Sequence, residues 1–293
     1  MNPVEIVSII DHLSVPACLL KIHSIIESAE DKLSLSFKFL LMPSPELPLQ
    51  NWTASFSTCF PNVKFESKVW ERPPRLLNLS GNNFEKDVIF ARFYLVDIFP
   101  TVEKFIYLDN DIIVTADLYH LCAQKLIRTD TIPGSAEEKP HTPSVENTRH
   151  LGKQYQHLQK APKVIGPPAT VGFVYETHPG YKDYLHAHFN LSHPFVRKAV
   201  DRAGSDAFLN GGVFVVDAVR WRQKKFTQMV EILLLENQVR YLYSNSAVGD
   251  QGPFLLLFQD ETAYLHPKYN MRRLPKKTIN MLNDGQTTGN YFV

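Results

Sequence analysis

The segment Phe105-Ile-Tyr-Leu-Asp109-Asn110-Asp111 constrains the fold more than any other part of the chain. Its apolar run reads as a buried strand. A strand that stops at two carboxylates carries both to the carboxyl edge of a sheet, where open α/β sheets bind ligands. Side chains alternate faces along a strand, so acids spaced i, i+2 project to one side. The run 4–10 repeats the pattern, β-branched and ending in Asp11. After it, Ala17, Leu20, Ile22, Ile25 and Ile26 recur at helical spacing, and 33–42 is strand-like. Strand, helix, strand order of this kind implies an α/β fold with a mostly parallel twisted sheet flanked by helices.

Further along, 62–66 is a weaker strand, 84–99 reads as a helix closed by Pro100, and 171–175 and 213–217 are strands. Helices are expected at 181–189 and 220–237, the second being the clearest amphipathic stretch. The stretch of about 130–168 mixes Pro, Lys, Glu, His and Gln without a sustained period and reads as a mobile insertion over one face. The chain has 293 residues, 44% hydrophobic and 21% charged, which suits one large globular domain. Its 31 basic and 30 acidic residues give +1, so no bulk charge draws it to nucleic acid. Three separated cysteines exclude a zinc ribbon and a dense disulfide scaffold. The apolar stretch 4–26 is interrupted by Glu5, Asp11, His12, Lys21 and His23, so neither a membrane segment nor a signal peptide is expected within the chain. Sequons at Asn51, Asn78 and Asn190 permit a secretory lumen without arguing for one.

Several residues could carry chemistry. Carboxylates at the spacing of Asp109 and Asp111 suit magnesium or manganese shared with substrate phosphates; the bland alternative is a solvated turn. Two metal-phosphate chemistries fit. In phosphoaspartyl hydrolases of the haloacid dehalogenase type the first acid is a nucleophile and a Thr or Val follows the second by two residues, where this chain has Ile113. In nucleotide-sugar transferases the pair only holds the metal. Arg92 lies in an apolar helix, where a guanidinium needs an anion, either a ligand diphosphate or a carboxylate such as Asp97 or Asp109. Asn210 precedes Gly211 and Gly212, which suggests a turn that something approaches closely. Asp250 and Gln251 open an apolar run, which suggests a helix start with Asp250 as its cap, and Asp11 can cap the helix that follows it.

Taken in order, these segments resemble the family 8 glycosyltransferases, a retaining class with the GT-A fold. Ile89-Phe-Ala-Arg92 is similar to the helix whose Arg helps hold the donor, and Asp109-Asn110-Asp111 to the metal motif. Leu209-Asn210-Gly211-Gly212 is similar to the Asn-containing turn, and 213–221 to the strand and Trp that follow. Gly249-Asp250-Gln251 resembles the acid-amide pair facing the transferred sugar, and Pro267-Lys-Tyr-Asn270 a strand near the end. The resemblance implies a single GT-A domain over 1–293, with a nucleotide-binding half at 1–115 and a sugar and acceptor half at 116–293. It implies transfer of a hexosyl or uronosyl group from a UDP-sugar to a carbohydrate acceptor, with Mn2+ or Mg2+ on Asp109 and Asp111. Asp11 would meet the uracil. Arg92, Asn110, Glu176, Asn210, Gly211, Gly212, Asp250 and Gln251 would line the donor, with Arg92, Asp250 and Gln251 nearest the chemistry.

Residues 189–194 are similar to the galacturonosyltransferase-like branch, which points to a galacturonosyl or galactosyl donor and the Golgi lumen, on an anchor outside these residues. The family's His-x-x-Gly-x-x-Lys-Pro-Trp segment, which adds a metal ligand and a Lys for the diphosphate, does not occur before Val293. A sequence lacking its last part is expected. The alternative is an inactive member that binds a nucleotide-sugar or a partner.

Overall fold

The computed structural model describes residues 3–74, 87–128, 166–177, 180–203, 207–258 and 260–270. The insertion expected at 130–168 lies outside them except for 166–168. Seven strands build one sheet: β1 (Val4–Ile10), β2 (Leu35–Leu41), β3 (Lys64–Val69), β4 (Lys104–Leu108), β5 (Val171–Thr177), β6 (Ala207–Asp217) and β7 (Thr262–Leu265), in the order β3-β2-β1-β4-β6-β5-β7. β3, β2, β1 and β4 run parallel, as do β5 and β7, while β6 is antiparallel to both of its neighbours. The mostly parallel sheet expected from the sequence is therefore present.

Period-two alternation sorts the core into two layers. In β4, Phe105 and Tyr107 face one hydrophobic cluster, and Ile106 and Leu108 the other; in β1, Val7 and Ile9 are separated from Ile6 and Ile10 in the same way. The first layer is closed by Asp87–Ala91, Leu95–Ile98, Pro194–Ala203, Phe226–Arg240 and Gln251–Leu257. The second is closed by Val15–Ser28, through Cys18, Ile22 and Ile25, and by Leu49–Cys59, through Trp52 and Phe56. The chain goes from β1 outward to β2 and β3, then returns to place β4 on the other side of β1. The β1/β4 junction is thus the switch point at which doubly wound sheets open a crevice beyond their carboxyl ends.

Three expectations need correction. Asn210-Gly211-Gly212 is not a turn ahead of a strand but lies inside β6, which begins at Ala207. There the pairing with β5 slips from Phe173↔Phe214 to Val174↔Asn210, so 211–213 bulge out of the ladder. The expected helix at 84–99, of which 84–86 lie outside the described residues, is instead Asp87–Ala91, a tighter 3-10 turn Arg92–Tyr94, and Leu95–Ile98. The amphipathic helix expected at 220–237 is two helices, Ala218–Gln223 and Phe226–Arg240, broken where Lys225 takes the left-handed conformation. The second is apolar on more than one face: Phe226, Val230 and Leu234 are buried, while Ile232 and Val239 are 61% and 84% exposed. Among the described residues no helix is long and apolar enough to cross a membrane.

Candidate active site

The alternation of β4 continues past its end and decides where each residue of the acidic motif goes. Tyr107 and Asp109 face the first layer. The Asp109 backbone N–H donates to Gly212 O at 2.9 Å, which extends the β4–β6 ladder to the bulge. Asp109 Oδ1 accepts from Tyr107 Oη at 2.9 Å and from Arg92 Nη2 at 3.3 Å. Burial pushes the Tyr107 hydroxyl well above its ordinary pKa, so it stays a donor. The Arg92 guanidinium stacks on the Tyr107 ring with Cζ 4.8 Å from the centroid, and Nη1 meets Asp250 Oδ2 at 2.5 Å and Gly211 O at 3.3 Å.

Arg92 is therefore clamped between Asp109 and Asp250. Asp97, the other carboxylate considered from sequence, does not hold it. Burial alone would disfavour the cation, but the Asp250, Tyr107 and Asp109 groups outweigh it and hold Arg92 firmly protonated. Burial pushes the Asp250 carboxyl up, against the pull of Arg92. Gly249, at φ 53°, turns the chain just before it. Asp250 makes no side-chain cap to Gln251–Leu257, so the side-chain cap expected from the sequence does not form, and the carboxylate turns to Arg92 instead. Gln251 Nε2 donates to Leu209 O at 3.0 Å, anchoring the amide to β6 just before the bulge.

The two glycines form the floor of a polar cradle. A methyl group on Gly211 would lie 3.2 Å from Arg92 Nη1 and 3.5 Å from Asp250 Oδ2. On Gly212 it would lie 3.3 Å from Asn210 Oδ1, 3.4 Å from Asp109 Oδ2 and 3.6 Å from Asn270 Nδ2. Asn210 Oδ1 also accepts from Gly212 N at 2.9 Å. Hydrogen-bonding groups thus converge where side-chain volume is withheld.

Asn110, by contrast, turns its side chain to the second layer, away from Arg92 and Asp250. Its Nδ2 donates to Ile9 O at 2.7 Å and Ser14 Oγ at 2.9 Å, and its Oδ1 accepts from Lys21 Nζ at 2.9 Å. The amide is a structural tie between the ends of β1 and β4. Asp11 forms the cap considered from sequence: Oδ1 accepts from Ser14 N at 2.7 Å, and Ser14 Oγ accepts from Asp11 N at 3.1 Å. Ser14 therefore links Asp11 to Asn110. Glu176 pairs with Phe208 in the sheet, and its side chain lies outside the described residues. Pro267–Tyr269 is a 3-10 turn and not the expected strand.

Three participants escaped the sequence reading: Tyr107, Lys21 and Asn270. Lys21 is fully buried, and Nζ donates to Ser8 Oγ at 2.7 Å and Leu108 O at 3.1 Å as well as to Asn110. Burial lowers its pKa, while Cys18, Asp109 and Asp111 pull the other way. The available signal was its place on the buried Cys18, Ile22, Ile25 stripe, where a charge demands partners.

The donor set suits a hard divalent cation. Asp109 Oδ2 faces the cradle, Asp111 is solvent-exposed, and both offer the carboxylate oxygens that magnesium and manganese prefer. Among the described residues no group of three His, Cys, Asp or Glu side chains gathers there.

Comparison with known proteins now has geometry to meet. The model of Glycosyl transferase family 8 matches residues 5–287. Glycosyltransferase 8 domain-containing protein 1 of Bos taurus is 28% identical over 218 residues, covering 72% of this chain and 49% of that protein. Probable galacturonosyltransferase-like 4 of Arabidopsis thaliana is 25% identical over 254 residues, 82% of this chain and 56% of its own. The chain spans about half the length of these curated relatives. Among solved structures, galactosyltransferase LgtC in complex with donor and acceptor sugar analogues matches with a TM-score of 0.57 at 16% identity, over 94% of this chain and 78% of that one. Mouse xyloside xylosyltransferase 1 matches with a TM-score of 0.56 at 12% identity, over 99% and 94%. These likenesses establish the GT-A fold, and the match over nearly the whole sequence shows that the chain belongs to glycosyltransferase family 8.

Proposed function

We infer that the chain is the catalytic domain of a retaining glycosyltransferase that moves a hexosyl or uronosyl group from a UDP-sugar to a carbohydrate acceptor. The observation that carries this reading is Arg92, held between Asp109 and Asp250 beside the Gly211–Gly212 bulge. A buried cation flanked by acids at a sheet's switch point suits a substrate in which a sugar meets a diphosphate. The relative named for galacturonosyl transfer and the neighbour solved with donor and acceptor sugar analogues support the same class.

Asp109 and Asp111 would hold Mn2+ or Mg2+, which offsets charge on the diphosphate as the glycosidic bond breaks. The chain's own residues do the rest. Asp11, at the end of β1, keeps Oδ2 for the uracil N–H while Oδ1 caps the turn. Arg92 stabilises negative charge without moving, because Asp109, Asp250 and Tyr107 already fix its orientation. Gln251, tethered through Nε2, presents Oε1 beside the reacting carbon. Asp250 is bound to Arg92 at 2.5 Å and is thereby a poor nucleophile, which favours front-face displacement: the leaving phosphate oxygen takes the acceptor proton. A covalent route would fall to Glu176. A lumenal Golgi setting accompanies this reading.

Incubation with UDP-galactose, UDP-glucose or UDP-galacturonate and manganese should release UDP. The product anomer, read by proton NMR with a carbohydrate acceptor, should retain the donor's configuration. Inversion, or no turnover of any of the three, would overturn the proposal.

A further inference from the structure

Asn270 has no part in the mechanism above, yet it is the most exacting polar group at the site. It follows the 3-10 turn Pro267–Tyr269, whose Tyr269 is buried, donates its N–H to His266 O at 3.0 Å and accepts from Gln124 Nε2 at 2.5 Å. The turn fixes Asn270 at 7% exposure, and its Nδ2 is fully buried with no hydrogen-bond partner among the described residues. A buried donor left unmade is costly, and native structures keep such groups rarely and with a reason.

The reason lies across the bulge. A Cβ on Gly212 would meet this donor at 3.6 Å and the acceptors Asp109 Oδ2 and Asn210 Oδ1 at 3.4 and 3.3 Å, so all three groups edge the same face of the bulge. A phosphate oxygen could accept from Asn270 but would confront the two acceptors. A carbon substituent would satisfy none of them. A hydroxyl over that face suits the mixture: its oxygen can accept from Nδ2 while its hydrogen is donated to Asp109 Oδ2.

The geometry points to Asn270 as a specificity-determining residue that takes one hydroxyl of the transferred sugar, beside Asp109. This rests on the sugar-transfer reading and adds to it the group recognised. It predicts that binding of the nucleotide and recognition of the sugar separate at this residue.

The test pairs Asn270→Ala with calorimetry of UDP and kinetics of UDP-galactose, UDP-glucose and UDP-galacturonate, all with manganese. The variant should keep its UDP affinity within about twofold, while KM for the sugar nucleotide the wild type accepts rises about tenfold. A deoxy donor lacking the recognised hydroxyl should lose about tenfold on the wild type and nothing further on the variant. If Asn270→Ala loses its cooperative melt, Asn270→Leu, of similar volume and without polar atoms, takes its place with the same expectation. Unchanged sugar-nucleotide kinetics would overturn the inference alone. So would UDP affinity that falls in step with KM, or every deoxy donor penalised equally on both proteins. A wild type that turns over none of the three donors would remove the transfer reading and this inference with it.

Discussion

Arg92 holds two carboxylates apart that would otherwise face each other across a poorly solvated space. Breaking a buried ion pair from one side leaves uncompensated charge, a cost of about 3–5 kcal/mol. Arg92→Met is therefore expected to lower unfolding free energy by about that amount in urea titrations, with activity abolished. A loss below about 1 kcal/mol would mean that the carboxylates are well hydrated without it. Lys21 is the same problem on the other face of β4. Lys21→Ala strands Ser8, Leu108 O and Asn110 and leaves a cavity, an expected cost of about 3 kcal/mol in the same assay. Arg92 was legible because an arginine in an apolar helix must have an anionic partner. Asp109 was among the partners the sequence offered, but Asp250 was not, since it lies 158 positions away and only the fold brings it near. Asn270 was illegible for a related reason: its isolation is a property of the packed bulge, not of its neighbours in sequence.

At the level of elements, the bulge in β6 does most to shape the site. The sequence showed its two glycines and their meaning, close approach, but placed them in a turn; a slip in β5–β6 register leaves no local mark. Gly212→Val would push carbon against Asp109, Asn210 and Asn270 without disturbing the ladder bond through its own carbonyl. Expected is a drop in kcat/KM of at least about tenfold, roughly 1.4 kcal/mol of transition-state binding, with cooperative unfolding retained in a thermal melt. The broken helix at Lys225 was hidden because its apolar residues fall on several faces, which no single period describes. A second element-scale contact gives the protein an acid-side pH dependence. Glu261, ahead of β7, is partly buried, which works against its charge. Bonds from Lys224, Thr170 (2.7 Å) and Arg220 (3.2 Å) outweigh that and hold its carboxyl below the ordinary value of 4.5. A folded pKa below the unfolded one contributes stability above the unfolded value and loses it as pH falls through the folded value. Glu261→Gln should flatten this decline in urea titrations across the acid range and cost about 1 kcal/mol at neutral pH, given partial solvent screening. An unchanged slope would place the acid sensitivity elsewhere.

Across the whole molecule, the sheet order and the two faces of β4 explain why one short motif does two jobs. Asp109 goes to the Arg92 and Asp250 side, Asn110 to the second layer, and both sit at the carboxyl end of β4 beside the β1/β4 switch point. The strand-then-acid pattern made this architecture readable in advance, because sheet edges and charge are local signals, whereas the partners of each charge are not. Under the proposed function, the acid pair grips a cation that in turn grips the nucleotide's diphosphate. Isothermal titration of UDP into the protein, with manganese and again with EDTA, tests it most directly, alongside Asp109→Asn and Asp111→Asn. Affinity that falls at least about tenfold on chelation and in each variant, with no further effect of chelation on the variants, is the predicted result. Equal UDP affinity under all these conditions would contradict it.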